Sequence, residues 1–182
     1  MNPIFLGCIL GIFLVACAGE ANAQMTNDNS RGTLSEKDFK FVKAAAQGGQ
    51  AEVILGQIAE QNAQDPSVRD FGLKMASDHQ AADQELSRII SQKSASVSDE
   101  SGMMDAHMIK HLQNLKGADF DTAYIKHMVR DHKQTIREFQ KEADNGDDAD
   151  LRNFASKTLP TLQEHLRLAQ DVESKLSSSA LK

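Results

Sequence analysis

Apolar residues recur at intervals of three and four from about residue 35 to residue 176, and no stretch alternates convincingly with a period of two. Such spacing places apolar side chains on one face of an α-helix. The pattern therefore predicts four long helices and one short one. Their predicted ranges are 35–64, 66–93, 103–115 for the short helix, 119–144, and a last helix that starts within 147–150 and reaches about 176.

Residues at the predicted helix ends support these boundaries. Ser35, with Asp38 three positions later, is typical of a helix N-cap. In Asp65-Pro66, the first residue caps the second long helix and proline occupies its first turn. Lys116-Gly117 is predicted to end the short helix, and Asn145-Gly146 to end the third long one.

Two of the joins between long helices are very short, which favours two antiparallel hairpins packed as an all-α four-helix bundle over residues 35–179. The longer connection, residues 94–118, joins the two hairpins and carries the short extra helix. It either crosses the bundle lengthwise or folds back at one end. The periodicity leaves both courses open.

Each long helix places one ionisable residue on its apolar stripe. These residues are Glu52, His79, His132 and His165. Glu52 precedes Asp65 by almost the same distance along the chain as His79 follows it, so the two face each other across the first hairpin. The second pair matches less closely in height about its turn at Gly146. All four side chains are expected to converge near the middle of the bundle.

A carboxylate beside three imidazoles suits one transition-metal ion: copper, iron, zinc or manganese. Met75 and Met128 lie one turn before two of these histidines, in the repeated pattern Met-x-x-Asp-His, and are candidate extra ligands that would favour copper. Methionine at this spacing is also common core filler. The alternative is a metal-free buried network of Glu52 and the histidines that fixes the register of the helices.

The N-terminal segment predicts export. Residues 4–16 are apolar, too few to span a bilayer, and small residues follow them, which indicates a signal peptide 1–23 cut after Ala23 and a polar linker 24–34. Residues 14–17 also resemble a bacterial lipobox, with signal 1–16 and lipid on Cys17. The predicted location is the periplasm, or the outer membrane through that anchor. Both cysteines lie in this segment, which excludes thiolate sites after residue 23.

Charge and aromatic content argue against nucleic acid as a partner. The chain has 20 basic and 26 acidic residues, a formal net charge of −6, and no basic stripe. One tyrosine and no tryptophan leave little for stacking on bases. The expected partner is instead the metal ion.

Four stretches of the chain, FVKAAAQGGQAEVILGQIA, VRDFGLKMASDHQ, FDTAYIKHMVRDH and LPTLQEHLRLAQ, resemble a family of exported bacterial proteins, domain of unknown function forty-one-forty-two. The resemblance covers about residues 38–176 and implies a ferritin-like fold, export and a bacterial source. The polar positions usual in that family fall on Glu52, His79, His132 and His165. The chain departs from di-iron ferritins, which supply several glutamates, so iron storage and ferroxidase chemistry are not implied.

Three functions follow, in order of preference. The first is an exported protein that binds a transition-metal ion in the bundle core for sequestration or stress protection. The second is a non-enzymatic structural or interaction module of the cell envelope. The third is a metalloenzyme acting on peroxide or superoxide; it ranks last because four protein ligands leave little room for substrate and no separate general base is evident.

Overall fold

The structure is a computed structural model that describes residues 31–97 and 103–179. These residues form five α-helices and no β-strand. The helices are α1 Glu36–Asn62, α2 Pro66–Gln92, α3 Met103–Gln113, α4 Gly117–Asn145 and α5 Ala149–Ser179. None of these helices is both long and apolar enough to cross a membrane. The predicted signal peptide, Cys17 and most of the linker lie outside the described residues.

The helix caps follow the sequence closely, with one exception. Ser35 accepts a hydrogen bond from the Asp38 N–H, and Asp65 accepts one from Ser67 ahead of Pro66. Gly117 was expected to end the short helix, and this prediction is wrong. The short helix α3 already ends at Gln113, and Gly117 begins α4 with φ +63°, a value that glycine adopts at little cost.

Contacts at the helix ends fix the course of the chain. Near the start of α4, the Asp121 carboxylate accepts the N–H of Asp65, at the start of α2, at 2.8 Å. At the other end, Lys93 after α2 forms a 2.8 Å ion pair with Asp148, which precedes α5. The helices α2 and α4 therefore run parallel. The connection between them joins opposite ends of the helices, so of the two predicted courses it follows the lengthwise crossing.

Within the described residues, the core consists of two hydrophobic clusters stacked along the helices. The Met75 cluster includes Phe71, Met75, Tyr124 and Met128, all buried. The Phe139 cluster, toward the start of α1, is built around residues such as Leu86, Phe139 and Leu162. The positions of His79, His132 and His165 along their helices lie between the two clusters, and Glu52 lies at the edge of the Met75 cluster, next to Ala51. We call these four residues the polar layer.

Each hairpin caps the turn of the other through a buried aspartate. Asp121, on the second hairpin, accepts backbone N–H groups of residues 64 and 65 in the first turn. Asp38, on the first hairpin, accepts the N–H groups of residues 147 and 148 in the second turn, both at 2.9 Å. The separation along the chain from Asp38 to Asp121 equals that from Asp65 to Asp148. The two hairpins are therefore built alike at their turns.

Candidate metal centre

The three histidines of the polar layer converge as the sequence predicts. His79 is 9% exposed, and His132 and His165 are each 1% exposed. Their ring centroids lie 5.5 to 5.8 Å apart. One ring nitrogen from each lies within 4.8 Å of the others. Donor atoms of a tetrahedral metal site lie roughly 3.3 Å apart, a spacing that falls within this limit.

Hydrogen bonds fix the tautomers of two of these rings. His132 donates its Nδ1–H to the carbonyl oxygen of Met128 at 3.1 Å. His165 donates its Nε2–H to an Asp78 carboxylate oxygen at 2.8 Å. A neutral imidazole that donates from one nitrogen carries its lone pair on the other. The lone pairs therefore lie on Nε2 of His132 and Nδ1 of His165.

Those two nitrogens, and Nε2 of His79, are buried and have no hydrogen-bond partner among the described residues. A buried polar atom left without a partner costs about 1 to 3 kcal/mol, and here each of the three neighbouring rings has one such atom. Two carry fixed lone pairs, and a metal ion would satisfy all three. The donor arrangement of the site thus fits a metal ion.

Burial keeps the histidines neutral, the form that binds metal. Desolvation, strengthened by the neighbouring His132 and His165, lowers the pKa of His79 from 6.5 to about 3. Desolvation likewise lowers the pKa of His132 to about 4. Burial also lowers the pKa of His165, although its contact with Asp78 opposes the shift. At neutral pH the rings are therefore uncharged, and a metal ion does not have to compete with an imidazolium proton.

Glu52 joins the polar layer through a different set of residues. Its carboxylate lies within 4.8 Å of ligand atoms of Asp131 and His132, and these three form a second potential metal-binding group. Glu52 and His132 are buried, whereas Asp131 is partly exposed. The structure therefore places the predicted quartet in one layer but divides its ligand atoms into two sets that share His132.

A cavity of about 240 Å³ adjoins the polar layer on the side of the Phe139 cluster. All four polar-layer residues line it, as do threonine side chains such as Thr135. Gln134, Glu138 and Thr161 also line it and are exposed, so the cavity reaches the surface. A metal ion in the layer would thus be accessible from solvent.

Other sequence candidates are placed differently. Met75 and Met128 are fully buried in the Met75 cluster, and their role as extra ligands stays a prediction. Asp78 and Asp131 directly precede His79 and His132, and because successive helical residues point about 100° apart, the sequence predicts that both aspartates face away from the layer and at most orient a neighbour. Asp78 does orient His165 through a hydrogen bond. The sequence did not predict that Asp131 would lie beside Glu52 and His132 as a potential metal ligand. The adjacent Asp-His pairs were the only signal for it.

Comparison with known proteins agrees with the helical architecture. A DUF305 fragment from Deinococcus radiodurans superposes with a TM-score of 0.68 and 13% identity, covering 78% of this chain and 98% of that one. A DUF305 protein from Streptomyces coelicolor gives a TM-score of 0.67 and 16% identity, covering 78% and 92%. At these identities the likeness is one of fold.

Sequence comparison identifies the family. Among curated proteins, none matches this chain. The sequence profile of a domain of unknown function, DUF4142, matches residues 23–172, most of the chain and all four polar-layer positions. The protein is therefore a member of the DUF4142 family.

Proposed function

We propose that the protein binds one transition-metal ion at His79, His132 and His165. The observation that carries the proposal is the convergence of three buried histidines, each of which has one ring nitrogen without a partner among the described residues. A structural network would satisfy such atoms with one another or with nearby backbone. Here hydrogen bonds to Met128 and Asp78 engage the far side of two rings instead.

Those far-side bonds are the arrangement that metal-binding histidines use. A ligating imidazole usually donates its other N–H to a carboxylate or a backbone carbonyl, which orients the ring and raises its basicity. His165 has the carboxylate and His132 has the carbonyl. Three neutral imidazoles with carboxylate oxygen nearby favour copper, iron, zinc or manganese over calcium or magnesium.

The physiological role that fits best is sequestration of the ion or stress protection. Three histidine ligands would retain the ion between the two hydrophobic clusters. The cavity would still allow loading and release. We further propose a ferritin-like four-helix bundle with a lengthwise crossover, supported by the parallel course of α2 and α4, and export, supported by the apolar pattern of residues 4–16.

The test is elemental analysis of untagged protein purified from the periplasm. Wild-type protein should contain about one equivalent of a single metal, and His79→Ala should lose it. The matched control is His111→Ala, because His111 is exposed on α3 and belongs to neither ligand set. The control should keep the metal.

The competing function is a metal-free structural or interaction module. It predicts no bound metal in either protein and no change in melting temperature when copper, zinc, iron or manganese is added. It also predicts that removing Glu52 costs stability whether metal is present or not. That combination of results would overturn the metal-binding proposal.

A further inference from the structure

The two ligand sets of the polar layer meet at a single atom. One set is His79, His132 and His165, and the other is Glu52, Asp131 and His132. Because His132 donates its Nδ1–H to the Met128 carbonyl, only its Nε2 remains for a metal ion in either set. The two sets therefore describe two positions for one ion rather than two ions bound together.

The two positions differ in depth and in chemistry. Both sets line the cavity, but all three histidines are buried, whereas Asp131 in the second set is partly exposed. Carboxylate oxygens bind incoming hydrated cations readily, whereas imidazoles hold borderline metals more selectively. The second set is thus placed and built to bind an ion on its way from solvent.

The cavity in front of these sets carries a net negative charge, although Lys74 pairs with Asp78 at 2.8 Å and burial raises the pKa of Asp83 to about 7. It is lined by carboxylates and by no lysine or arginine among the described residues; the carboxylates are those of Glu52, Asp78, Asp83, Asp131 and Glu138. A cleft lined by charge of one sign concentrates the opposite ion and raises its association rate by about 10- to 1000-fold. The cavity therefore favours cations over anions as its occupant.

We propose that a divalent cation loads in two steps through this cavity. It first binds Glu52, Asp131 and His132, and then moves to the three-histidine position while His132 stays bound as the pivot. No bond other than metal coordination forms or breaks, and the cation keeps its oxidation state. This inference rests on the proposed metal site and assigns Asp131 a role in loading it.

The experiment is stopped-flow mixing of the metal-free protein with Co²⁺, whose visible absorption reports coordination number and donor type. Wild-type protein should show a fast phase that depends on Co²⁺ concentration, followed by a concentration-independent phase that ends in the final spectrum. Asp131→Asn should slow the first phase about tenfold. Asp131→Glu, which restores a carboxylate, should recover most of the rate.

Glu60→Gln is the matched control, because it removes the same charge from an exposed position on α1 outside the cavity. It should leave both phases unchanged. Equal slowing in Glu60→Gln and Asp131→Asn would reduce the effect to overall charge and overturn the transfer step. So would wild-type kinetics in Asp131→Asn with one Co²⁺ bound. Failure of wild-type protein to bind Co²⁺ would instead overturn the metal site itself.

Discussion

The hydrogen bond from His165 to Asp78 gives the sharpest prediction about the metal centre. The two atoms lie 2.8 Å apart, with side-chain exposures of 1% for His165 and 28% for Asp78. Without the carboxylate, His165 is free to adopt the tautomer that carries a proton on Nδ1, the nitrogen the metal needs. Asp78→Ala should therefore weaken metal binding without removing any ligand.

The structure also sets the size of this effect. Hydrogen bonds to charged groups contribute about 1.5 to 3 kcal/mol, and water can partly replace a partner that is 28% exposed. The lower part of that range corresponds to roughly a 10- to 30-fold loss of affinity, within the usual range for such supporting residues. Asp78→Asn, whose amide oxygen still accepts the N–H, should lose less.

Competition with a chromophoric chelator at pH 7.5 measures these affinities for Zn²⁺. Lys74→Gln is the control, because Lys74 pairs with the same carboxylate at 2.8 Å and does not belong to either histidine-containing set. Its affinity should stay within about twofold of wild type, as exposed ion pairs contribute little. Wild-type affinity in Asp78→Ala would refute the assigned tautomer and the orienting role of Asp78.

Three further predictions concern stability. Gly56→Ala should destabilise the protein by about 2 kcal/mol in urea unfolding, because the new Cβ would clash with the backbone oxygen of Gly72 on α2. In the control Gly48→Ala, the new Cβ meets nothing within 4 Å, so this substitution should stabilise the protein by about 0.5 to 1 kcal/mol. Burial raises the pKa of Glu142 to about 7, so ionisation of this carboxyl group lowers stability as the pH rises from 4.5 toward 7. Relative to wild type, Glu142→Gln should gain about 2 kcal/mol in the free energy of unfolding at pH 8 and nothing at pH 4.5. Because the pKa values of His79 and His132 are low in the folded protein, the unfolded chain binds more protons than the folded chain below pH 6.5. Lowering the pH to about 5 should therefore reduce the free energy of unfolding of the metal-free protein by about 2 kcal/mol per histidine. An unchanged free energy of unfolding at that pH would contradict the burial of these histidines in the neutral form.

The sequence predicts the helices and the height of the polar layer because both depend on local spacing. Counting residues from the turns places Glu52 and the histidines at one level, and the structure brings the three histidines together. Periodicity also gives the direction of a side chain around its own helix axis, but it does not give the rotation of that helix relative to its neighbours. The association of Glu52 with Asp131 therefore could not be predicted.

Contacts between the hairpins were also beyond the sequence pattern. Asp38 and Asp121 look like ordinary polar residues near helix starts, yet both are buried because each caps a turn that is distant in sequence. The repeated sequence pattern Met-x-x-Asp-His occurs in the parallel helices α2 and α4. The structural correspondence between the two hairpins is a different one: Asp38 of the first hairpin matches Asp121 of the second, because each accepts backbone N–H groups from the turn of the opposite hairpin.

The hydrogen bonds by which each hairpin caps the turn of the other do not depend on the chain segment that connects the two hairpins. The caps of Asp38 and Asp121 require the opposite hairpin but not the same molecule, and a long connection, residues 93–116, separates α2 from α4. Two chains that exchanged hairpins would restore every cap. Each rebuilt centre would then take His79 from one chain and His132 and His165 from the other, so metal binding would stabilise the exchanged dimer as well as the monomer.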